Sequence, residues 1–214
     1  MSYLKADNLQ QFPGIDHGFG TADSVWPESI ILVSQRHTNT VFIVGDEPLE
    51  TIPVADALLT TVPHKLLGIK TADCLPILLY NPVSKVAGAI HAGWRGLANE
   101  VIQNTFKKLR SFYGAVPELT YVSIGPGICR NCYEVGSEVA GHINEAIPVG
   151  EAFRLTSGGK GLLDTRTIAE RQLSAAGVPR SNIVHIPLCT RCSPGFYSHR
   201  AGSEDRQVSY IALR

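Results

Sequence analysis

The chain has 214 residues, 44% hydrophobic and 18% charged, which is the balance of a globular protein long enough to bury a sizeable core. Its 19 basic and 19 acidic residues cancel, so no electrostatic footprint points to DNA, RNA or an anionic membrane, and small ligands fit better. No run approaches transmembrane length and the start lacks the apolar core of a signal peptide, which makes the cytoplasm the expected compartment.

The first 28 residues are rich in Gly, Asp and Pro and are expected to be irregular, with one edge strand at most. Strand-like runs at 30–33 and 40–44 flank a short polar loop, 34–39, that carries His37. Residues 45–65 contain an acidic, proline-bearing connection and the segment Ala55-Asp-Ala-Leu-Leu-Thr-Thr61. Apolar runs follow at 66–69, at 76–80 and at 86–90, the second closed by the turn pair Asn81-Pro82.

Apolar residues at 97, 101, 106, 109 and 112 have a helical period, so a helix is expected over 97–112. Its first amides would face the region of His91 and favour an anion. A strand is expected at 120–124. A second helix is expected from Tyr133, because Val135, Val139, Ile143 and Ile147 recur every four residues. Asp164 is a good N-cap for a third helix over 165–176, stopped by Gly177 and Pro179. Runs at 183–186 and 208–212 supply late strands. Ser157-Gly-Gly-Lys-Gly161 lacks the spacing of a phosphate-binding loop and reads as a flexible turn. Strands and helices mix without a regular βαβ alternation. The expected fold is therefore α+β, a single domain over 1–214 with mixed β-sheets flanked by helices.

The stretch 68–96 organises the chemistry. Cys74 follows one apolar run and His91 ends another, both beside tight turns of the kind that carry reactive groups on a rigid framework. With His37 they make two imidazoles and one thiol, a zinc-ligand set that leaves a fourth position open. Two other readings of the same residues stand beside it. One is a Cys74 nucleophile with His91 as its base. The other is a buried cysteine and two unrelated polar histidines.

The other four cysteines form two pairs, Cys129-Arg-Asn-Cys132 and Cys189-Thr-Arg-Cys192. Reduced thiols, a second, structural metal site and a disulfide are all open to them. Arg36 and Arg95 lie beside the central motifs and Arg200 lies in a late one; each can bind phosphate or serve as an ion-pair partner.

Ala72-Asp-Cys-Leu-Pro76 and His91-Ala-Gly-Trp-Arg-Gly96 resemble the hallmark motifs of the YfiH-like laccase-domain family. The resemblance extends in family order through Gln35-Arg-His37, Gly125-Pro126, Cys132-Tyr-Glu-Val135, Cys189-Thr190 and Phe196-Tyr-Ser-His-Arg200. Members of that family have been called polyphenol oxidases or multicopper oxidoreductases, and later purine nucleoside phosphorylases. The resemblance implies a layered sandwich fold and a zinc held by His37, Cys74 and His91. It also implies phosphorolysis of adenosine, inosine, guanosine or methylthioadenosine, together with deamination of adenosine. The implied catalytic residues are Cys74 and His91, with Asp73 placed to orient a ligand imidazole, to shuttle a proton or simply to cap a turn. By their place in or beside the motifs, Arg36, Arg95, His199 and Arg200 are the candidate contacts to nucleoside or phosphate. Relatives usually carry a longer segment before the Gln-x-His motif, so residues 1–29 are shortened against the family pattern.

The older oxidase label fits the residues less well. The chain has seven histidines, no His-x-His pair and one methionine, Met1, whereas multicopper sites use paired histidines and blue-copper sites commonly add an axial Met. Copper remains a possible alternative occupant of the same ligands. A metal-binding domain without turnover is the reading furthest from catalysis.

Overall fold

The computed structural model describes residues 3–214. In chain order the first elements are α1 (Asp7–Gln10), β1 (Ile15–Gly18), β2 (Val41–Ile43), β3 (Ala57–Thr60) and β4 (Leu67–Thr71). The central hairpin follows as β5 (Leu75–Asn81) and β6 (Val86–Ala92), then α2 (Trp94–Ala98), α3 (Val101–Tyr113) and β7 (Tyr121–Ile124). The last third contains β8 (Glu134–Gly136), α4 (Ser137–Ala146), β9 (Phe153–Leu155), β10 (Lys160–Leu163), α5 (Thr165–Ala175), β11 (Ile183–His185) and β12 (Gln207–Leu213).

Both strands of the central hairpin are buried along their full length, as continuous apolar runs covered on two faces should be. They sit in the middle of a six-stranded mixed sheet ordered β11-β7-β5-β6-β3-β2. Alternation along β5 sends Leu75, Ile77 and Leu79 to one face, where they meet Leu97, Val101, Phe106 and Leu109 of the helical layer. Leu78 and Tyr80 point the other way, against Leu67, Ile69 and Ile211 of a second sheet ordered β1-β12-β4. The result is helices on sheet on sheet, the layered α+β architecture expected.

The hairpin turn is closed by the Asn81 side chain, whose Oδ1 accepts from the N–H groups of Val83 (3.1 Å) and Ser84 (3.0 Å). Register across the hairpin pairs Pro76 with His91 and Leu75 with Ala92. Cys74, one residue before β5, therefore emerges at the same sheet edge as the end of β6.

Several local expectations need correction. Residues 30–33 form no strand of their own, because only Ile31 bridges to Leu67. The segment 55–61, set apart from the connection but given no secondary structure, supplies β3, which is fully buried between β6 and β2. The early segment supplies the one edge strand expected, β1, at the side of the β1-β12-β4 sheet, and adds the short α1, with Leu9 and Ile15 in the core.

The helix expected at 97–112 is two helices. Glu100 adopts a left-handed conformation (φ 61°) that ends α2 and restarts the chain as α3, so the long helix begins at Val101, away from His91. The helix expected from Tyr133 begins at Ser137, because Glu134–Gly136 pairs instead with β10. The glycine-rich turn at 157–159 links β9 to β10 in a hairpin. Asp164 caps α5 as expected, accepting from the Thr167 N–H at 3.1 Å.

Candidate metal and active site

Two loops and one strand deliver the candidate residues to one end of the large sheet. Cys74 stands in the β4–β5 turn, His91 one residue from the end of strand β6, and His37 in the loop before β2. The loop carrying His37 is held from two sides. Gln35 pairs its side-chain amide with the backbone of Lys70, donating to the carbonyl and accepting from the N–H at 2.8 Å each. Asp56 holds the other side.

The carboxylate of Asp56 is fully buried and accepts from the N–H groups of Arg36 (3.2 Å), His37 (3.0 Å) and Thr38 (2.6 Å) and from the Thr38 hydroxyl (2.8 Å). Its Oδ1 also lies 2.7 Å from His91 Nδ1. A carboxylate acceptor fixes the proton on Nδ1 and leaves Nε2 as the nitrogen free to ligate. Asp56 thus orients both the His37 backbone and the His91 ring.

The ligand atoms of His37, Cys74 and His91 all lie within 4.8 Å of one another. Cys74 Sγ is 3.9 Å from His37 Nε2, close to the separation of about 3.6 Å that tetrahedral zinc–sulfur and zinc–nitrogen bonds would impose. The two imidazoles meet edge to face at 4.8 Å. Gly93 makes this approach possible, since a Cβ there would lie 2.8 Å from Cys74 Sγ and 2.9 Å from His37 Cδ2. His37 (φ 59°) and Asp73 (φ 86°) both hold left-handed backbone conformations, strain of the kind concentrated at functional sites. Donor type, spacing and support all fit a metal ion.

Charges within the cluster are coupled. Burial pushes the Cys74 thiol up, but hydrogen bonding and attraction from His37 and His91 outweigh it and bring the pKa down to about 6. Burial pulls the His91 imidazole down, but Asp56 and Cys74 raise it to about 9. Asp56, raised by burial, is lowered to about 2 by His91 and Thr38. The metal-free cluster is therefore a thiolate, an imidazolium and a carboxylate in a row.

Asp73 does not orient an imidazole. Its carboxylate accepts from the Thr190 hydroxyl and from the Arg200 N–H, both at 2.7 Å, and ties the Cys74 turn to the late loop. Asp56 does the orienting. Nothing in Ala55-Asp-Ala57 marks that carboxylate in the sequence, apart from its position beside a short apolar run.

Beside Cys74 is a cavity of about 20 Å³ lined by Asp73, Gly93, Trp94 and Tyr133, room for roughly one water. Exposed cationic side chains stand around it. Arg95 lies over the Trp94 ring at 4.5 Å, and Arg200 lies over Tyr133 at 5.0 Å while donating to the Glu134 carbonyl. Arg36 is exposed next to His37, and His199 is exposed next to Arg200. Below His91 sits the five-residue α2, not the long helix, so the anion site expected at a long helix N-terminus is absent there.

All five cysteines are free, and no disulfide links them. The sulfurs of Cys129, Cys132, Cys189 and Cys192 form a second convergent group, each within 4.8 Å of the others.

The chain matches the family described as multi-copper polyphenol oxidoreductase laccase over residues 20–214. It belongs to this laccase-like YfiH family. Adenosine deaminase RL5, from an unknown prokaryotic organism, is 31% identical over 81% of this chain and 70% of its own length. Purine nucleoside phosphorylase SCO2081 of Streptomyces coelicolor is 33% identical over 96% of this chain and 85% of its own. A purine nucleoside phosphorylase of Deinococcus radiodurans is 40% identical over 74% of this chain, which spans only 61% of that enzyme. Among solved structures, YlmD from Geobacillus stearothermophilus superposes with a TM-score of 0.82 at 31% identity, covering 87% of this chain and 74% of that one. YfiH from Bacillus licheniformis gives 0.80 at 30% identity, with the same coverage. Family members with these names support an enzyme of nucleoside chemistry acting on small molecules. No helix among the described residues is long and apolar enough to cross a membrane.

Proposed function

We propose that this protein is a zinc-dependent purine nucleoside phosphorylase with adenosine deaminase activity, acting on adenosine, inosine, guanosine and methylthioadenosine. The observation that carries this reading is the His37–Cys74–His91 cluster with Asp56 behind it, in a chain whose relatives bear both enzyme names. When bound, zinc with an open position acts as a Lewis acid and lowers the pKa of a coordinated water.

The protein's own residues do the rest. Asp56 holds His91 in the ligating tautomer, and Cys74 enters the site as thiolate. The cavity beside Cys74 is too small for a nucleoside, so the reacting centre lies at the mouth of the site, with the nucleoside across Trp94 and Tyr133. In phosphorolysis a phosphate oxygen bonds to C1′ as the C1′–N9 bond breaks, giving free base and ribose 1-phosphate. Arg36, Arg95 and Arg200 supply positive charge for that anion, with His199 next to Arg200 in the chain. In deamination, water adds at C6 and ammonia leaves, giving inosine from adenosine.

Copper is the weaker occupant. Two imidazoles and one thiolate match zinc as well as copper, but the only methionine, Met1, lies outside the described residues and the chain lacks His-x-His pairs. One specific observation favours a second reading, a metal-free hydrolase: the Cys74–His91–Asp56 row has the order of a nucleophile, its base and the group orienting that base.

Adenosine, inosine and methylthioadenosine incubated with zinc-loaded protein, with and without phosphate, separate these readings by chromatography. Phosphate-dependent free base and phosphate-independent inosine are expected, both lost in Cys74→Ala. Oxygen uptake with a phenol and copper, in the absence of either product, would reinstate the oxidase.

A further inference from the structure

Among the described residues, one chemically loaded cluster is left that the proposed reaction does not use. It is built from two Cys-x-x-Cys turns far apart in sequence. The first, ending in a short 3₁₀ turn (Arg130–Cys132), is closed by the Cys132 N–H donating to the Cys129 carbonyl at 3.0 Å. The second is closed by the Ser193 N–H donating to the Cys189 carbonyl at 2.9 Å. Backbone bonds from Gly127 to Leu188 and from Thr190 to Gly127, each 3.3 Å, lay the two segments side by side.

We propose that Cys129, Cys132, Cys189 and Cys192 form a second, four-thiolate zinc site that ties together the two walls of the catalytic pocket.

Three observations carry it. Each sulfur lies within 4.8 Å of the other three, a single convergent group rather than two bonded pairs at the roughly 2 Å of a disulfide. Zinc–sulfur bonds of about 2.3 Å would place tetrahedral sulfurs about 3.8 Å apart, within reach of this group by small side-chain rotations. The Cys129 N–H donates to Cys189 Sγ at 3.3 Å, and backbone N–H groups of Cys192 and Arg191 are also directed at that sulfur. Such donors suit a thiolate, since a neutral thiol is a weak acceptor.

Local charge agrees. Four thiolates around a divalent ion leave a net negative site, and the Arg166 guanidinium lies nearby, donating to the Leu188 carbonyl at 3.3 Å and attracted first to Asp164 and then to Cys129 and Cys189. Its Nε is buried without a protein partner.

The position explains what the site does. Tyr133, the residue after Cys132, lines the cavity beside Cys74 and carries Arg200 over its ring. Thr190, the residue after Cys189, donates to Asp73 in the Cys74 turn. A metal joining the two Cys-x-x-Cys turns fixes both walls in one unit. It shares no ligand with the His37–Cys74–His91 cluster, so either ion can be lost without the other.

Zinc per chain is measured in purified wild type, in Cys192→Ser and in Cys74→Ala. About two ions are expected in wild type and about one in each variant. Because Cys192→Ser can misfold, the second measurement needs only folded wild type and Cys74→Ala. Zinc X-ray absorption of Cys74→Ala is expected to show sulfur ligands alone at about 2.3 Å, and its cobalt-substituted form the intense bands of tetrahedral cobalt thiolate. Loss of zinc in Cys74→Ala with none remaining would overturn the proposal. So would nitrogen ligation in that variant, or two disulfides in the intact mass of non-reduced wild type. Retention of sulfur-bound zinc with no nucleoside turnover in wild type would instead count against the proposed reaction and leave this site standing.

Discussion

Asp56 and His91 are joined twice: the carboxylate lies 2.7 Å from the ring Nδ1, and the His91 N–H donates to the Asp56 carbonyl at 2.7 Å. One buried residue thereby sets both the backbone and the tautomer of the histidine at the centre of the site. The same carboxylate accepts from the His37 N–H, so two of the three candidate ligands depend on it.

Asp56→Asn separates support from ligation. An amide cannot accept every bond the carboxylate accepts, and one of its N–H groups must face a donor. Metal affinity is expected to fall by roughly 10- to 100-fold, and stability by about 1–3 kcal/mol. Competition with a chelator reads the first, and denaturant unfolding of the metal-free forms reads the second. Unchanged affinity would show that His91 needs no orienting partner.

Gly93→Ala probes the close approach. Its φ of −80° suits any residue, so the backbone tolerates alanine, but the new methyl would press on Cys74 Sγ and His37. Metal binding is expected to be lost or sharply weakened while circular dichroism stays native. A variant that binds metal as wild type does would mean the three ligands are not as close as they stand here.

How much of this was legible in the sequence depends on the residue. Cys74, His91 and His37 stood out because each ends or follows an apolar run beside a turn, and the hairpin register then brings the first two to one edge. Asp56 did not, because a single carboxylate between alanines looks like a solvated loop until the strand after it is seen to be buried. The break at Glu100 was hidden as well: the apolar period continues straight through it, and only the left-handed backbone interrupts the helix. Val135 fitted a helical spacing but pairs as a strand, because the β9–β10 hairpin, distant in sequence, offers it a partner. Long buried strands were readable from local pattern. Elements decided by a remote partner were not.

Acid sensitivity is expected from His17. It is 3% exposed and its Nε2 accepts from the Ala6 N–H at 3.0 Å, which requires the neutral ring. Burial first, and Lys5 second, lower its pKa to about 4. A lowered histidine contributes stability in full above its ordinary value of about 6.5 and loses it as pH falls through 4. The loss amounts to about 3 kcal/mol. Unfolding free energies of wild type should fall across that window, and those of His17→Gln should not. Parallel curves would remove His17 as the cause.

Metal removal should expose Cys74 to alkylation. With His37 and His91 lowering its pKa to about 6, the thiol of the metal-free protein is mostly thiolate at neutral pH. Peptide mapping after brief iodoacetamide treatment is expected to show rapid labelling at Cys74, with a rate that climbs through pH 6, and protection on adding zinc. Equal labelling with and without zinc would take Cys74 out of the ligand set.

The central claim is that nucleoside cleavage depends on a metal held by His37, Cys74 and His91. The most direct measurement follows hypoxanthine release from inosine and phosphate by metal-free protein as zinc is added back, in wild type and in Cys74→Ala. The account predicts no release from either metal-free form, recovery with zinc in wild type, and no recovery in Cys74→Ala. Full release by metal-free wild type, or recovery in Cys74→Ala, would contradict it.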